Sequence, residues 1–246
     1  MVKKNIFILI VLIIESCTTT NYDAKSPEQS FSYAKSFYEK GEYDLAIQKI
    51  REFQVNFPYS KYVSDGDLII ANSHFELGDY IESAYSYEQF IRLHPNSEKL
   101  VFAMFRLGES YWKQSPEEID REQENTEIAI RKWQRLLDNY PDSDFSTKAV
   151  KLIEQGRLRM VKSDEFIANY YCKKQFWHAC AYRLLKIIDD YPQYSSIVSV
   201  SRNKAANALE QLASKKKETE ENNNLFFKEY TEQQLLEKAK TLRSNL

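Results

Sequence analysis

The 246-residue chain has few of the residues on which β-sheet turns depend. It contains only five glycines and six prolines, and most of the prolines close apolar segments instead of interrupting them. This scarcity argues against an all-β envelope protein. The formal net charge of −2 is close to balance, so we expect no nucleic-acid partner, which would require a strongly basic face.

The sequence also lacks the patterns that accompany most catalytic sites. It has no glycine-rich phosphate loop, no paired-carboxylate motif and no nucleotide-binding fingerprint. Its three histidines, His74, His94 and His178, are scattered along the chain. We therefore predict a binding protein and not an enzyme, with no catalytic residue and no cofactor.

Cysteine is scarce as well, with three residues in the chain. Cys172 and Cys180 stand near His178, but their spacing matches no common zinc motif, so we predict no metal site. A disulfide between the two cysteines could persist in an oxidising compartment. It would need α-carbons roughly 4.4–6.8 Å apart, and the sequence leaves open whether the two residues meet this condition.

A long apolar run is found only at the N-terminus. Lys3 and Lys4 precede nine apolar residues, Ile6 to Ile14. This run is shorter than the roughly 20 residues of a membrane-spanning helix. A basic start followed by a short apolar run is typical of a secretory signal, which we place at residues 1–16.

Cys17 follows this signal, and the junction resembles a bacterial lipoprotein processing site. Ser16 suits that site, whereas Glu15 departs from the small uncharged residue usual there. We predict that Cys17 becomes the lipidated first residue of the mature chain, held on a membrane without spanning it. Thr18, in place of aspartate, favours the outer membrane. The alternatives are an uncleaved anchor or a plain signal with a chance cysteine.

The rest of the chain repeats one pattern of small, aromatic and proline residues. In the clearest unit the pattern comprises Ala71, His74, Gly78, Tyr80, Ser83, Tyr87, Phe90 and Pro95. The preceding unit keeps the same offsets from Ala34 to Pro58, a third begins at Gly108, and a fourth runs from Ala168 to Pro192. This spacing resembles the tetratricopeptide repeat, a helical hairpin of about 34 residues.

We therefore predict an all-α fold, an α-α superhelix of about five tetratricopeptide-like hairpins. A tether over residues 17–26 leads into the array at 26–213, and a charged joint with a C-terminal amphipathic helix follows at 214–246. The predicted helices are 27–40, 43–56, 60–77, 80–93, 97–114, about 124–139, 143–161, 162–175, 177–191, 195–213 and 225–246.

A repeat array of this kind offers a groove lined by the first helix of each hairpin. In the first two hairpins that face is predicted to carry Glu28, Phe31, Lys35, Tyr38, Asp65, Leu68, Asn72 and Phe75. Its mixture of aromatic and polar groups suits an extended peptide. The alternative is that Phe31, Leu68 and Phe75 pack between hairpins and line no groove.

Three stretches resemble one family, the BamD lipoproteins of the β-barrel assembly machinery. They are residues 57–95, which end in Leu-His-Pro, the loop and helix start at 119–130, and the segment 167–192. The likeness covers most of residues 26–212 and fades beyond 213.

The resemblance implies an outer-membrane assembly subunit on the periplasmic side. Its early repeats would receive the C-terminal signal of unfolded β-barrel proteins, and its late repeats would dock the periplasmic domains of BamA. Other lipoproteins of the machinery would be further partners. The alternative is another tetratricopeptide lipoprotein, such as a pilus-assembly or cell-division adaptor.

Overall fold

The computed structural model describes residues 26–218 and 230–244, and this part of the chain folds into ten α-helices. The helices are α1 (Pro27–Glu39), α2 (Tyr43–Asn56), α3 (Val63–Leu77), α4 (Tyr80–Leu93), α5 (Leu100–Gln114), α6 (Glu124–Asn139), α7 (Asp144–Lys173), α8 (Trp177–Asp190), α9 (Ser195–Glu218) and α10 (Glu232–Ser244). Consecutive helices pair into five hairpins, numbered 1 to 5 from α1/α2 to α9/α10. The predicted all-α hairpin array is confirmed.

Local sequence signals explain where the first hairpins begin and turn. The Gln29 amide donates to Ser26 Oγ (3.2 Å) and Pro27 opens α1, as the sequence predicts. The first two turns place Gly41 and Gly78 at φ of 79° and 83°. Glycine adopts this left-handed backbone without the steric cost of a side chain, so the chain reverses tightly between paired helices.

Small side chains allow the paired helices to approach closely. Ala34, Ala71 and Ala168 on first helices, and Ala46, Ser83, Ala129 and Cys180 on second helices, are all essentially buried. Gly108 holds this place on α5, where an added Cβ would lie 2.3 Å from Trp133 Nε1. The indole instead fills the space and donates to the Phe105 carbonyl (3.1 Å).

Larger buried side chains join each hairpin to the next. Phe31 and Ile50 of hairpin 1 pack with Ile69 and Ile70 of hairpin 2. Tyr87 and Phe90 of hairpin 2 share a buried cluster with residues of hairpin 3. The core is therefore a series of interfaces along the array, as expected for repeat proteins.

Several helix boundaries differ from the prediction. The largest difference is α7, a single 30-residue helix where two helices, 143–161 and 162–175, were expected. No proline interrupts it, and Gly156 lies in mid-helix against Ile130. Helices α3 and α5 each begin three residues late, at Val63 and Leu100.

The bounds of the C-terminal helices also differ from the prediction of 195–213 and 225–246. Helix α9 continues to Glu218, beyond the expected end at 213. Helix α10 begins at Glu232 and buries Leu235 and Ala239, while Arg243 donates to Glu210 (2.8 Å). Two residues of the apolar stripe predicted for the last helix, Leu235 and Ala239, are thus covered by the array itself, whereas Leu236 is 37% exposed.

Hairpin 4 contains a disulfide between Cys172 and Cys180, whose α-carbons are 4.8 Å apart. The bond answers the question that the sequence leaves open, and it occupies both thiols that were considered as metal ligands. Among the described residues, no group of His, Cys, Asp and Glu is arranged to hold a metal ion. Within the same ranges, no helix combines the length and apolar character needed to cross a bilayer.

Candidate peptide-binding groove

The predicted groove residues divide into three sets. Tyr38, Asn72 and Phe75 come together on the face formed by α1, α3 and α5 and are partly exposed. Phe31 and Leu68 are buried in the interfaces between hairpins, which was the alternative reading of these two side chains. The exposed set comprises Glu28, Asp65 and Lys35, and Lys35 pairs with Glu39 at 3.0 Å.

Arg106 of α5 is the centre of the assembled set. Its guanidinium carbon lies 3.5 Å from the centre of the Phe75 ring, a close cation–π contact. The same guanidinium donates to Glu76 (3.0 Å), Glu109 (3.3 Å) and the Tyr87 hydroxyl (3.2 Å). Because these contacts engage both terminal nitrogens and Nε, Arg106 positions its neighbours and is not a free cation.

Asn72 links the arginine cluster to hairpin 1. Its Oδ1 accepts a 2.5 Å hydrogen bond from the Tyr87 hydroxyl, and its side chain lies close enough to Tyr38 to oppose the rise in the pKa of that hydroxyl. Tyr38 belongs to α1, Asn72 to α3 and Arg106 to α5, so one polar network joins the first helices of three hairpins. We call the surface formed by Tyr38, Asn72, Phe75, Glu76 and Arg106 the N-terminal groove.

Burial keeps the tyrosine hydroxyls of this network protonated. Burial, followed by the nearby Glu76 carboxylate, raises the pKa of Tyr38. Burial likewise raises the pKa of Tyr87 well above its usual value, although Arg106 opposes the shift. Since desolvation penalises the charged phenolate, both hydroxyls remain hydrogen-bond donors near neutral pH.

Glu109 lies at the hairpin 3 end of the network, with a side chain 26% exposed. Burial raises the pKa of its carboxyl group, although the attraction of Arg106 lowers it. The shift indicates that the cost of burying the carboxylate exceeds what the Arg106 ion pair returns. The groove therefore holds the Arg106–Glu76 ion pair beside a less readily ionised carboxyl at Glu109.

Aromatic rings border this polar network. Tyr38 contacts Tyr43 with ring centres 5.6 Å apart, and Phe75 contacts Tyr80 at 5.2 Å. The ring centre of Phe102 of α5 lies 5.9 Å from the guanidinium carbon of Arg106. Apolar ring surface beside hydrogen-bonding groups can accept both the side chains and the backbone of an extended segment.

The sequence prediction missed Arg106 and its partners Glu76, Glu109 and Tyr87. Glu109 has the repeat position of Asn72 one hairpin earlier, so extending the register to α5 could have found it. Arg106 has the position of the buried Ile69 and does not follow the register. The available signal was a single charge within the apolar run Leu100–Leu107.

Known proteins resemble the chain over most of its length. The family model described as YfiO, an outer membrane lipoprotein, matches residues 23–224. The outer membrane protein assembly factor BamD of Vibrio cholerae serotype O1 is 23% identical over 175 residues, which cover 68% of this chain and 73% of that protein. The protein of the same name from Pasteurella multocida is 22% identical over 194 residues, covering 75% of each chain.

Solved structures include more distant matches. A structure described as the TPR2AB-domain:pHSP90-complex of yeast Sti1 superposes with a TM-score of 0.46 at 14% identity. The superposition covers 89% of this chain and 78% of that one.

Proposed function

Because the chain belongs to the YfiO family of outer membrane lipoproteins, we propose that it is an outer membrane protein assembly factor of the β-barrel assembly machinery. The proposal is supported by relatives that carry the name BamD and match about three quarters of their own length. The names of the family and of these relatives describe a lipoprotein and an assembly factor, not a reaction.

The anchor in this proposal is lipid attached to Cys17, which would hold the chain on the periplasmic face of the outer membrane. Cys17 and the signal at 1–16 lie outside the described residues, so the support is the sequence pattern and the family. Intact mass would test it, because the mature chain should begin at an acylated Cys17. A Cys17→Ser chain that still needed detergent for extraction would contradict it.

The N-terminal groove binds extended segments of unfolded β-barrel proteins in this proposal. The observation that carries it is the network of Tyr38, Asn72 and Arg106, which spans three hairpins and leaves the edge of Phe75 partly exposed. An unfolded barrel segment offers alternating aromatic side chains and unpaired backbone groups. The groove provides ring surface for the former and hydrogen-bonding groups for the latter.

The C-terminal half would dock folded partners, namely the periplasmic domains of BamA and other lipoproteins of the machinery. The proposed surface runs from about Tyr170 to Ala213. Its support is the rigidity of this region. The Cys172–Cys180 disulfide ties α7 to α8, and Tyr191 donates to Asp164 of α7 (2.8 Å). A preorganised surface loses little entropy when it binds a folded partner.

Two matched substitutions test whether the two surfaces act separately. Asn72 and Asn169 hold the same repeat position in hairpins 2 and 4, and Asn169 accepts a hydrogen bond from Lys204 (2.7 Å). Asn72→Arg should weaken crosslinking to an unfolded barrel protein at least about tenfold, since binding energy concentrates in few residues. It should leave co-purification of BamA unchanged. Asn169→Arg should instead weaken co-purification of BamA and leave crosslinking to the barrel protein unchanged.

Circular dichroism must show that both variants fold. If each folded variant lost both partners equally, the separation into two surfaces would be wrong. If neither variant nor the wild type crosslinked to a barrel protein, the assembly function itself would be contradicted.

A further inference from the structure

One edge of the array exposes three large apolar side chains. Val55 near the end of α2 is 80% exposed, Tyr59 in the next loop is 99% exposed, and Leu93 at the end of α4 is 58% exposed. A single exposed apolar residue needs no explanation. Three at corresponding ends of two neighbouring hairpins indicate an interaction surface.

Contacts between hairpins place these three residues at one edge. Gln54, beside Val55, donates to Asp67 near the start of α3 (2.8 Å). His94, which follows Leu93, has its Nε2 2.7 Å from the other carboxylate oxygen of Asp67. The ends of α2 and α4 therefore meet at the start of α3.

The described chain begins at this same edge. Phe31 in the first half of α1 stacks on Tyr62 at 4.9 Å between ring centres and packs on Phe53 at 5.5 Å. Tyr62 ends the loop that contains Tyr59. The ten residues from Cys17 to Ser26 are separated by nine intervals and span at most about 30 Å when fully extended, so a lipid on Cys17 would keep this edge close to the bilayer.

The equivalent loops of the later hairpins have a different character. The eight-residue segments 55–62 and 92–99 each carry a formal net charge of +1. The corresponding segment 138–145 carries three aspartates, and 189–196 carries two aspartates, with no lysine or arginine in either. An anionic lipid surface would attract the first two loops and repel the others.

We propose that the edge containing Val55, Tyr59 and Leu93 is a membrane-contacting surface that rests in the phospholipid headgroup region. Tyrosine is enriched at that level, and Lys61 and Arg92 can reach the phosphates with their long side chains. Two exposed acids, Glu28 and Asp65, also lie near this edge, in the first turns of α1 and α3, and partly offset its positive charge. The edge fixes the tilt of the array, so that the acidic loops of hairpins 3 and 4 point away from the membrane.

This inference rests on the proposed lipid anchor, and an environment-sensitive fluorophore tests it. Acylation occupies Cys17 and the disulfide occupies the other two thiols, so Tyr59→Cys offers one site for NBD labelling. Gln193→Cys places the same probe at the equivalent position of the hairpin 4 loop. The full acylated protein is reconstituted into vesicles of phosphatidylethanolamine and phosphatidylglycerol, and NBD emission is recorded with and without doxyl-labelled lipid.

The expected result is a blue-shifted emission at position 59 that doxyl lipid quenches, with neither effect at 193. Equal, water-like emission at both positions would overturn the proposal. So would a blue shift at 59 that required another envelope protein in place of lipid, since it would assign the edge to a protein partner.

A failure of the anchor can be distinguished from a failure of the edge. If mass analysis showed no acylation of Cys17, a Cys17→Ser protein with an N-terminal histidine tag on nickel-chelating lipid would supply the tether without a further free thiol, and the two probe positions would be compared again. The proposed anchor would then be wrong, while the probe at 59 would still decide whether the edge contacts lipid.

Discussion

Hairpins 2 and 4 make the same backbone turn but close it with different side chains. The Asp79 amide donates to the His74 carbonyl (2.9 Å), and at the equivalent place the Phe176 amide donates to that of Tyr171 (3.0 Å). Across the first turn Phe75 packs on Tyr80. Across the second, the residue at the position of Phe75 is Cys172, which is bonded to Cys180.

The difference has consequences for both ends of the array. In hairpin 2 the ring of Phe75 remains part of the N-terminal groove, stacked under Arg106. In hairpin 4 the equivalent residue, Cys172, is part of the disulfide. The groove surface is therefore not repeated there. The proposed peptide-binding groove is thus confined to the first hairpins, while a disulfide closes hairpin 4.

Removing the disulfide should have the largest effect on stability. Cys172→Ala with Cys180→Ala suits the packing, because Ala46 and Ala129 hold the place of Cys180 in other hairpins. Loss of a cross-link over such a short loop should cost about 2–3 kcal/mol and lower the melting temperature by roughly 5–10 °C. Calorimetry of both proteins checks this, and equal melting temperatures would contradict it.

Transplanting the closure of hairpin 2 sharpens the comparison. Cys172→Phe with Cys180→Ser recreates the pair Phe75 and Ser83, and Trp177 stands where Tyr80 would receive the ring. We expect the free energy of unfolding of this variant to exceed that of the double alanine variant by about 1 kcal/mol, which is the usual contribution of an aromatic pair. A melting temperature below that of the double alanine variant would show that the two closures are not interchangeable.

The turn residue itself should have a smaller effect. Gly78 has φ of 83°, whereas the equivalent Gln175 holds a left-handed φ of 60° with a side chain. Gly78→Gln should lower the free energy of unfolding by about 1 kcal/mol, and Gln175→Gly should raise it by up to about the same amount. Denaturant titration measures both changes, and effects of the same sign would contradict the equivalence of the turns.

The smallest predicted effect is the pH dependence from Glu109. Its raised pKa means that the folded state holds the proton more tightly than the unfolded state, so stability is gained below the unfolded pKa and lost as pH rises through the folded pKa. Glu109→Gln should therefore be more stable than wild type at pH 7 by less than about 1 kcal/mol, since Arg106 offsets much of the burial cost.

Melting temperatures between pH 4 and 7 measure this difference, which should shrink as the pH falls. Glu98→Gln, at an exposed loop position, is the control and should show no such trend. A difference between Glu109→Gln and wild type that grew on acidification would contradict the assignment.

The repeat register explains why most of the fold could be predicted from the sequence. Small residues such as Ala71 and Ser83 recur because helix contact demands them, and Ser26 with Pro27 marks the start of α1. The continuity of α7 was not predicted, because the repeat implies a break near 162 that no helix-breaking residue enforces. The loop boundaries also differ from the prediction, because the residue at which a helix ends depends on packing.

The groove was only partly predictable because its centre does not follow the repeat. Tyr38, Asn72 and Phe75 lie at regular positions and could be predicted to share one face, whereas Arg106 reaches that face from the position of a buried residue. The disulfide was left open although the register holds the answer. Cys172 has the place of Phe75, which faces across the turn toward the second helix.

The central claim is that the groove of the first hairpins, and not hairpin 4, contacts unfolded barrel protein. Benzoylphenylalanine placed at position 75, and in a separate protein at position 170, tests it by photocrosslinking during outer membrane protein synthesis. Tyr170 is an exposed aromatic residue of α7 and serves as the comparison position in hairpin 4, because Cys172, which holds the repeat position of Phe75, is in the disulfide. The account predicts barrel-protein crosslinks from 75 and none from 170, and crosslinks of equal yield from both positions would contradict it.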